Sequence, residues 1–116
     1  MTVIETFFAV DVANMERATA FYVTALGATV TFASPGWSSL RIAGVRVALA
    51  LNPMHKGGRS GLHFTVSDLA ASRSHVDGAG GRTGEAVEVA PGVIVAEATD
   101  TEGNAFTVTP RGGSTP

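Results

Sequence analysis

VDVANMERATAFYVTALG, residues 10 to 27, is answered further along the chain by FTVSDLAASRSHVDGAGG, residues 64 to 81. With a displacement of 54 positions, Val12 falls on Val66, Asn14 on Asp68, Met15 on Leu69, Ala18 on Ser72, Tyr22 on Val76 and Gly27 on Gly81. In each copy an apolar strand ends at Val, and a short polar residue caps a helix by accepting from first-turn amides. A glycine, which takes the left-handed conformation without strain, then closes the helix. A repeat of this length is a supersecondary unit that cannot bury its own apolar face. The chain therefore reads as two such units sharing one core.

Working outward, Ile4 to Val12 alternates as a strand, with Phe8, Val10 and Val12 on one face and Phe7, Ala9 and Asp11 on the other. Met15, Ala18, Phe21, Tyr22 and Ala25 recur at helical spacing up to Gly27. Strands are then expected at Ala28 to Ala33, Trp37 to Ile42 and Val45 to Leu51, separated by Ser34-Pro35-Gly36 and Ala43-Gly44 turns. The first module, residues 3–52, is thus βαβββ. Residues 53–60, PMHKGGRS, read as a linker because Pro and paired Gly interrupt both periodicities. The second module, residues 61–110, repeats the order. It has a strand at Leu62 to Val66, a helix from the Asp68 cap to about Gly78, and strands at Gly84 to Val89, Val93 to Thr99 and Ala105 to Thr109. Residues 111–116 form a tail expected to fray.

A chain of 116 residues has room for one domain, 1–116, which buries roughly two thirds of the surface its unfolded form exposes. A formal net charge of −2, with no run of three Lys or Arg, argues against a nucleic-acid partner. The absence of Cys excludes disulfides, a thiolate nucleophile and Cys-based zinc sites. Val45 to Leu51, the longest apolar run, is interrupted by Arg46 and far too short to span a bilayer, and no basic segment with an apolar run opens the chain. The expectation is a soluble, cytoplasmic protein with no membrane partner.

The doubled βαβββ order, the Phe21-Tyr22 pair followed by Leu26-Gly27, the Asp68 helix start and the Asp100, Gly103, Asn104 turn together resemble the vicinal oxygen chelate superfamily. Glyoxalases, extradiol dioxygenases, fosfomycin-resistance proteins and bleomycin-resistance proteins belong to it. The resemblance runs from about Val3 to Pro110. It implies an α+β fold in which two βαβββ modules form a cup-shaped, curved mixed sheet with helices outside, ligands inside and commonly a homodimer. Its metal-dependent members take His, Gln or Glu ligands from the first and last strands of each module, and the motif carries those positions onto Phe7, Ala48, Gly61 and Thr107. Divalent ions need imidazole nitrogen or carboxylate oxygen, which Phe, Ala and Gly lack and a lone Thr hydroxyl replaces poorly. The expected metal and cofactor complement is none, and a slip in register would instead bring His63 to a ligand position.

Strand parity gives the expected cup lining: Phe7, Ala9 and Asp11, then Trp37, Ser39 and Arg41, then Ala48 and Ala50, then Gly61, His63 and Thr65, and finally Thr107. Small side chains leave volume, and a few polar groups beside apolar wall suit a small-molecule site. Trp37 either stacks on a flat ligand or covers an open core edge. Arg41 pairs with a ligand anion, with Asp11 or Glu97, or with water. His63 contacts ligand or is structural, while His55 and His75 look incidental. Asp11 and Glu97 form the one acidic pair that can be imagined converging. No nucleophile elbow precedes Ser38 or Ser39, and neither GNAFTV nor GAGGRTG sits in a phosphate-loop context.

The leading expectation is a metal-independent small-molecule binding protein of the bleomycin-resistance type, sequestering a planar amphipathic compound in a dimer cleft. Its ligand-binding residues are Phe7, Asp11, Trp37, Ser39, Arg41, Ala48, Ala50, His63 and Thr107, and it has no catalytic residue. A metal-dependent lyase, isomerase or dioxygenase is the alternative, and a domain that regulates a partner protein is a third reading.

Overall fold

The computed structural model describes residues 1–112. Asn14 and Asp68 cap the two helices as the repeat predicts, accepting from the amides of Arg17 and Ala71 at 2.9 and 3.0 Å. These helices are α1 (Met15–Leu26) and α2 (Leu69–Gly78). The strands are β1 (Phe8–Val12), β2 (Thr29–Phe32), β3 (Trp37–Ile42), β4 (Val45–Leu51), β5 (Gly58–Val66), β6 (Arg82–Ala90), β7 (Val93–Thr99) and β8 (Asn104–Pro110). They form two four-stranded sheets of identical topology, β1-β4-β3-β2 and β5-β8-β7-β6, each with one parallel pair at its inner edge. β1 and β5 lie against each other, and the two helices pack together on one side. The result is the expected pair of βαβββ modules, an α+β architecture with a curved, unclosed sheet.

The core lies between sheets and helices. Val10, Val12, Leu40, Ile42, Val47, Leu49, Leu62, Phe106 and Val108 point from the strands toward Ala18, Phe21, Tyr22 and Val76 on the helices. Phe21 is shared between modules, its ring 5.3 Å from that of Tyr22 and 6.3 Å from that of Phe106. Burying each such side chain contributes about 1.5–3 kcal/mol.

Most strand ends fall within one or two residues of the sequence expectation, and two differ by four. β1 begins at Phe8 rather than Ile4, because Phe8 is already opposite Val47 and β4 starts at Val45. Ile4 then has no strand to pair with and is fully exposed. β5 begins at Gly58, inside the segment expected to be linker, with Gly58 opposite Asn104 and Arg59 opposite Ala105. The close approach of two backbones permits this. A Cβ on Gly57 would lie 2.6 Å from the Gly103 carbonyl oxygen, which instead accepts from the Gly58 amide at 3.2 Å. β5 then bulges between Arg59 and His63, with Gly61 at φ 79° and the Ser60 hydroxyl donating to the Ala105 carbonyl at 2.9 Å. Arg111 donates its amide to Val66 at 2.7 Å, and the remainder of the expected tail, 113–116, lies outside the described residues.

A polar junction joins the modules. Asp100, buried in the turn before β8, accepts from the Tyr22 hydroxyl at 2.6 Å, from the amides of Glu102 and Asn104 at 2.7 and 2.9 Å, and from the Asn104 side chain at 3.0 Å. Glu102 reaches back to the start of α1, where it accepts from the amides of Ala13 and Asn14 and from Arg17 at 2.7 Å. Burial alone would raise the Glu102 pKa. Hydrogen bonds from Arg17, Thr101 and the Asn14 amide, with the Arg17 charge, outweigh it and hold the carboxyl below its ordinary range. Burial and then the neighbouring Asp100 carboxylate push the Tyr22 hydroxyl far above its ordinary value, so it remains a donor.

Candidate functional site

Alternation along β1, β3 and β4 puts Phe7, Ala9 and Asp11, Trp37, Ser39 and Arg41, and Arg46, Ala48 and Ala50 on the face away from the helices. The registers sort them into rows. Ala9, Ala48 and Ser39 lie side by side, as do Asp11, Ala50 and Trp37, and Arg46 pairs with Arg41. The second sheet presents His63, Thr107 and Glu97 in the row that corresponds to Ala9, Ala48 and Ser39. Seven of the nine ligand-binding candidates therefore come from the first sheet and two from the second.

The first sheet contributes an aromatic and cationic group. Phe7 and Trp37 meet edge to face at a centroid separation of 6.3 Å, and the Arg46 guanidinium carbon lies 4.1 Å from the Phe7 ring centroid. Arg46 is also paired with Glu5 at 3.0 Å. Trp37 is half-buried, so part of its ring remains open. Arg41 donates to the Gly44 carbonyl at 3.0 Å and stays exposed, the solvated one of its expected states. The Asp11 carboxylate accepts from the Asn52 side chain at 3.3 Å. Ser39 and Ala48 are buried in the floor, leaving little polar surface between the aromatic pair and the second sheet.

The second sheet carries the titratable groups. His63 Nδ1 is hydrogen-bonded to the Thr107 hydroxyl, with Glu97 directly across from Thr107 on β7. His63 and Glu97 are exposed, and Thr107 is buried. The bulge at Gly61 sets His63, rather than Gly61, opposite Thr107. Among the described residues no three His, Asp or Glu side chains converge on a common point. Phe7, Ala48 and Gly61 offer no side-chain donor, so the four motif positions do not fit the superfamily's metal.

A polar cavity of about 210 Å³ lies where the modules meet, sharing Ala9 and Asp11 with the cup face and lined also by His55, Arg59, Ser60 and Asn104. His55 Nε2 is 2.7 Å from the Asn104 side-chain oxygen. Because the Asn104 amide group donates to the Asp11 carbonyl and to Asp100, that oxygen is the acceptor and His55 must carry a proton there. Sequence reasoning missed this cluster and missed Arg46. The latter was legible, since it shares parity with Ala48 and Ala50. The cluster depends on how the 53–60 segment crosses the second module, and no periodicity reports that.

The doubled βαβββ order and the curved, unclosed sheet are those of the vicinal oxygen chelate fold. The model of the glyoxalase-like domain family matches residues 7–109, and the chain belongs to that family. Among solved structures, a glyoxalase-related enzyme from Fulvimarina pelagi is 16% identical, with a TM-score of 0.76 over 97% of this chain and 96% of that one. A bleomycin-binding protein from Streptomyces verticillus, solved with copper(II)-bleomycin, is 15% identical, with a TM-score of 0.69 over 95% and 98% of the two chains. The fosfomycin resistance protein FosX from Listeria monocytogenes is 11% identical, with a TM-score of 0.77 over 95% and 94%. At these identities the likeness is one of fold. No curated protein matches the chain significantly.

Proposed function

We propose that the cup binds a planar, amphipathic small molecule without a metal ion, in a homodimer. The observation that carries this reading is the Phe7–Trp37–Arg46 group beside a row of Ala9, Ala48 and Ser39. An aromatic face with a cation next to small side chains favours stacking and apolar burial over Lewis-acid chemistry. The bleomycin-binding relative, crystallised with its metal-chelated antibiotic, supports the same direction. His63, Asp11 and Arg41 orient the ligand at the rim. Phe32, Val87 and Val89 stand exposed on the outer edge strands β2 and β6, and an apolar edge of this kind is a surface on which a second chain can pair.

The test is a titration of Trp37 emission, in metal-free buffer, with copper(II)-bleomycin, fosfomycin and a panel of fused-ring aromatic compounds. The expected result is saturable quenching by a planar compound, lost in Phe7→Ala. Emission unmoved by the whole panel, or by anything until metal is added, would sink the reading.

The His63–Thr107–Glu97 row favours a second reading, a metal-assisted lyase, isomerase or dioxygenase. Elemental analysis of protein offered manganese, nickel, iron and zinc decides it. One metal per chain in the native protein, lost in His63→Ala, would put this reading first.

A further inference from the structure

The two modules differ most where each one's last hairpin meets the other's helix. Opposite α1, the volume is filled by the Tyr22 ring, by Asp100 and Asn104, and by Glu102. The displacement of 54 that relates the helices puts Val76 at the place of Tyr22. The strand registers relate the hairpins, since Ala9–Ala48–Ser39 corresponds to His63–Thr107–Glu97. Counting from those rows, Ile42 stands where Asp100 does and Val45 where Asn104 does. The turn between them, Ala43-Gly44, is one residue shorter than Thr101-Glu102-Gly103 and has no counterpart of Glu102.

The ring of Tyr22 is thus reduced to Val76, Glu102 has no counterpart, the polar Asp100 and Asn104 are replaced by apolar Ile42 and Val45, and a mainly apolar cavity of about 200 Å³ remains. Leu26, Ile42, Ala43, Phe64, Val76 and Val108 line it, on the helix side of the sheet and away from Trp37. A second cavity of about 300 Å³ adjoins it through Ile42, Ala43, Phe64 and Thr65 and reaches His63 at the edge of the cup. The Ser72 hydroxyl on the wall of the first cavity already donates to the Asp68 carbonyl at 2.8 Å. Thr65 also lines it, and apart from Ser72 and Thr65 the wall is apolar. An apolar cavity of about 150 Å³ is enough to stay dry and bind benzene.

We propose that this cavity is a second binding site, distinct from the Phe7–Trp37 group of the cup, for a neutral single-ring aromatic molecule the size of a phenol. The occupant takes the place that the Tyr22 ring fills in the other half. Its ring packs between Phe64, Val76 and Val108, and its polar substituent points out past the Ala43-Gly44 turn.

The probe is p-cresol, which is the tyrosine side chain as a free molecule. It is titrated into the wild-type protein with methyl resonances and intermolecular NOEs as readout. Saturable shifts and NOEs are expected at the methyls of Leu26, Ile42, Val76 and Val108, with Trp37 emission unchanged. Val76→Tyr fills the cavity from α2, and Ala25→Phe fills it from α1. Each is expected to abolish those shifts while raising or preserving the melting temperature. NOEs only to Ala9, Ala48 or other cup residues, or non-saturating shifts in wild-type protein, would overturn the proposal without reference to either variant. So would undiminished binding in a folded variant.

Discussion

The first helix and the second hold equivalent places in the two modules and are opposites in what they meet across the junction. Tyr22 on α1 meets a buried carboxylate, and Val76 on α2 meets Ile42 and empty space. The cup shows the same division, with Ala9, Ala48 and Ser39 in one row and His63, Thr107 and Glu97 in its counterpart. One backbone plan thus serves two purposes. The second module supplies the buried carboxylates of the junction and the His63–Thr107–Glu97 row of the cup, while the first supplies the aromatic pair and its cation. Repetition fixed the frame, and the side chains on it diverged according to which neighbour each faces.

The sharpest way to break this comparison is to give the polar junction its apolar counterpart. Asp100→Ile leaves the Tyr22 hydroxyl and two turn amides without their acceptor, and is expected to cost about 3–5 kcal/mol in urea unfolding. A loss under about 1 kcal/mol would mean that water or a shifted turn replaces the carboxylate. Glu102→Gln removes the charge at the start of α1 and is expected to cost about 2 kcal/mol at pH 7. Because the folded-state pKa of Glu102 is lowered, its contribution is fully present above the unfolded value near 4.3 and is lost as pH falls through the folded value. Wild-type stability should therefore drop more steeply than that of Glu102→Gln below about pH 4.3, and parallel curves would refute the assignment.

Tyr22→Phe keeps the ring and deletes one bond, so a smaller loss of about 1–2 kcal/mol is expected. It also sharpens the contrast with Val76, because it separates the ring's volume from its hydroxyl. The smallest effect belongs to the cup. Arg46→Ala removes one cation over one ring and an exposed ion pair, with an expected loss of about 0.5–1 kcal/mol. Ligand titration against Trp37 emission should report it more clearly than unfolding does.

Much of the frame was legible because it is periodic. The displacement of 54, the caps at Asn14 and Asp68 and the strand alternation gave both modules and the identity of the cup face. Ile4 and Gly58 were assigned wrongly because strand ends depend on where a partner strand begins, and alternation within one segment carries no such information. The Tyr22–Asp100 bond was not legible, although both residues stood out. They are 78 positions apart, and only the packing of one module's turn on the other's helix brings them together. The bulge at Gly61 was equally hidden. It changes which residue of β5 faces Thr107, so the candidate positions Gly61 and His63 could be ordered only by the ladder itself.

The carboxylate that completes the start of α1 has a consequence for how the chain comes to be folded. Glu102 is 88 and 89 positions downstream of the two backbone amides it accepts from. A nascent chain that has emerged as far as residue 60 holds the whole first helix but not the group that finishes it. Contacts of such long range slow folding, since loop closure precedes any gain from them. The amino-terminal half released alone should therefore behave as a loose, exchange-prone chain rather than a small domain. In the intact protein the amides of α1 and those of β8 should become open to hydrogen exchange together, in a single cooperative event.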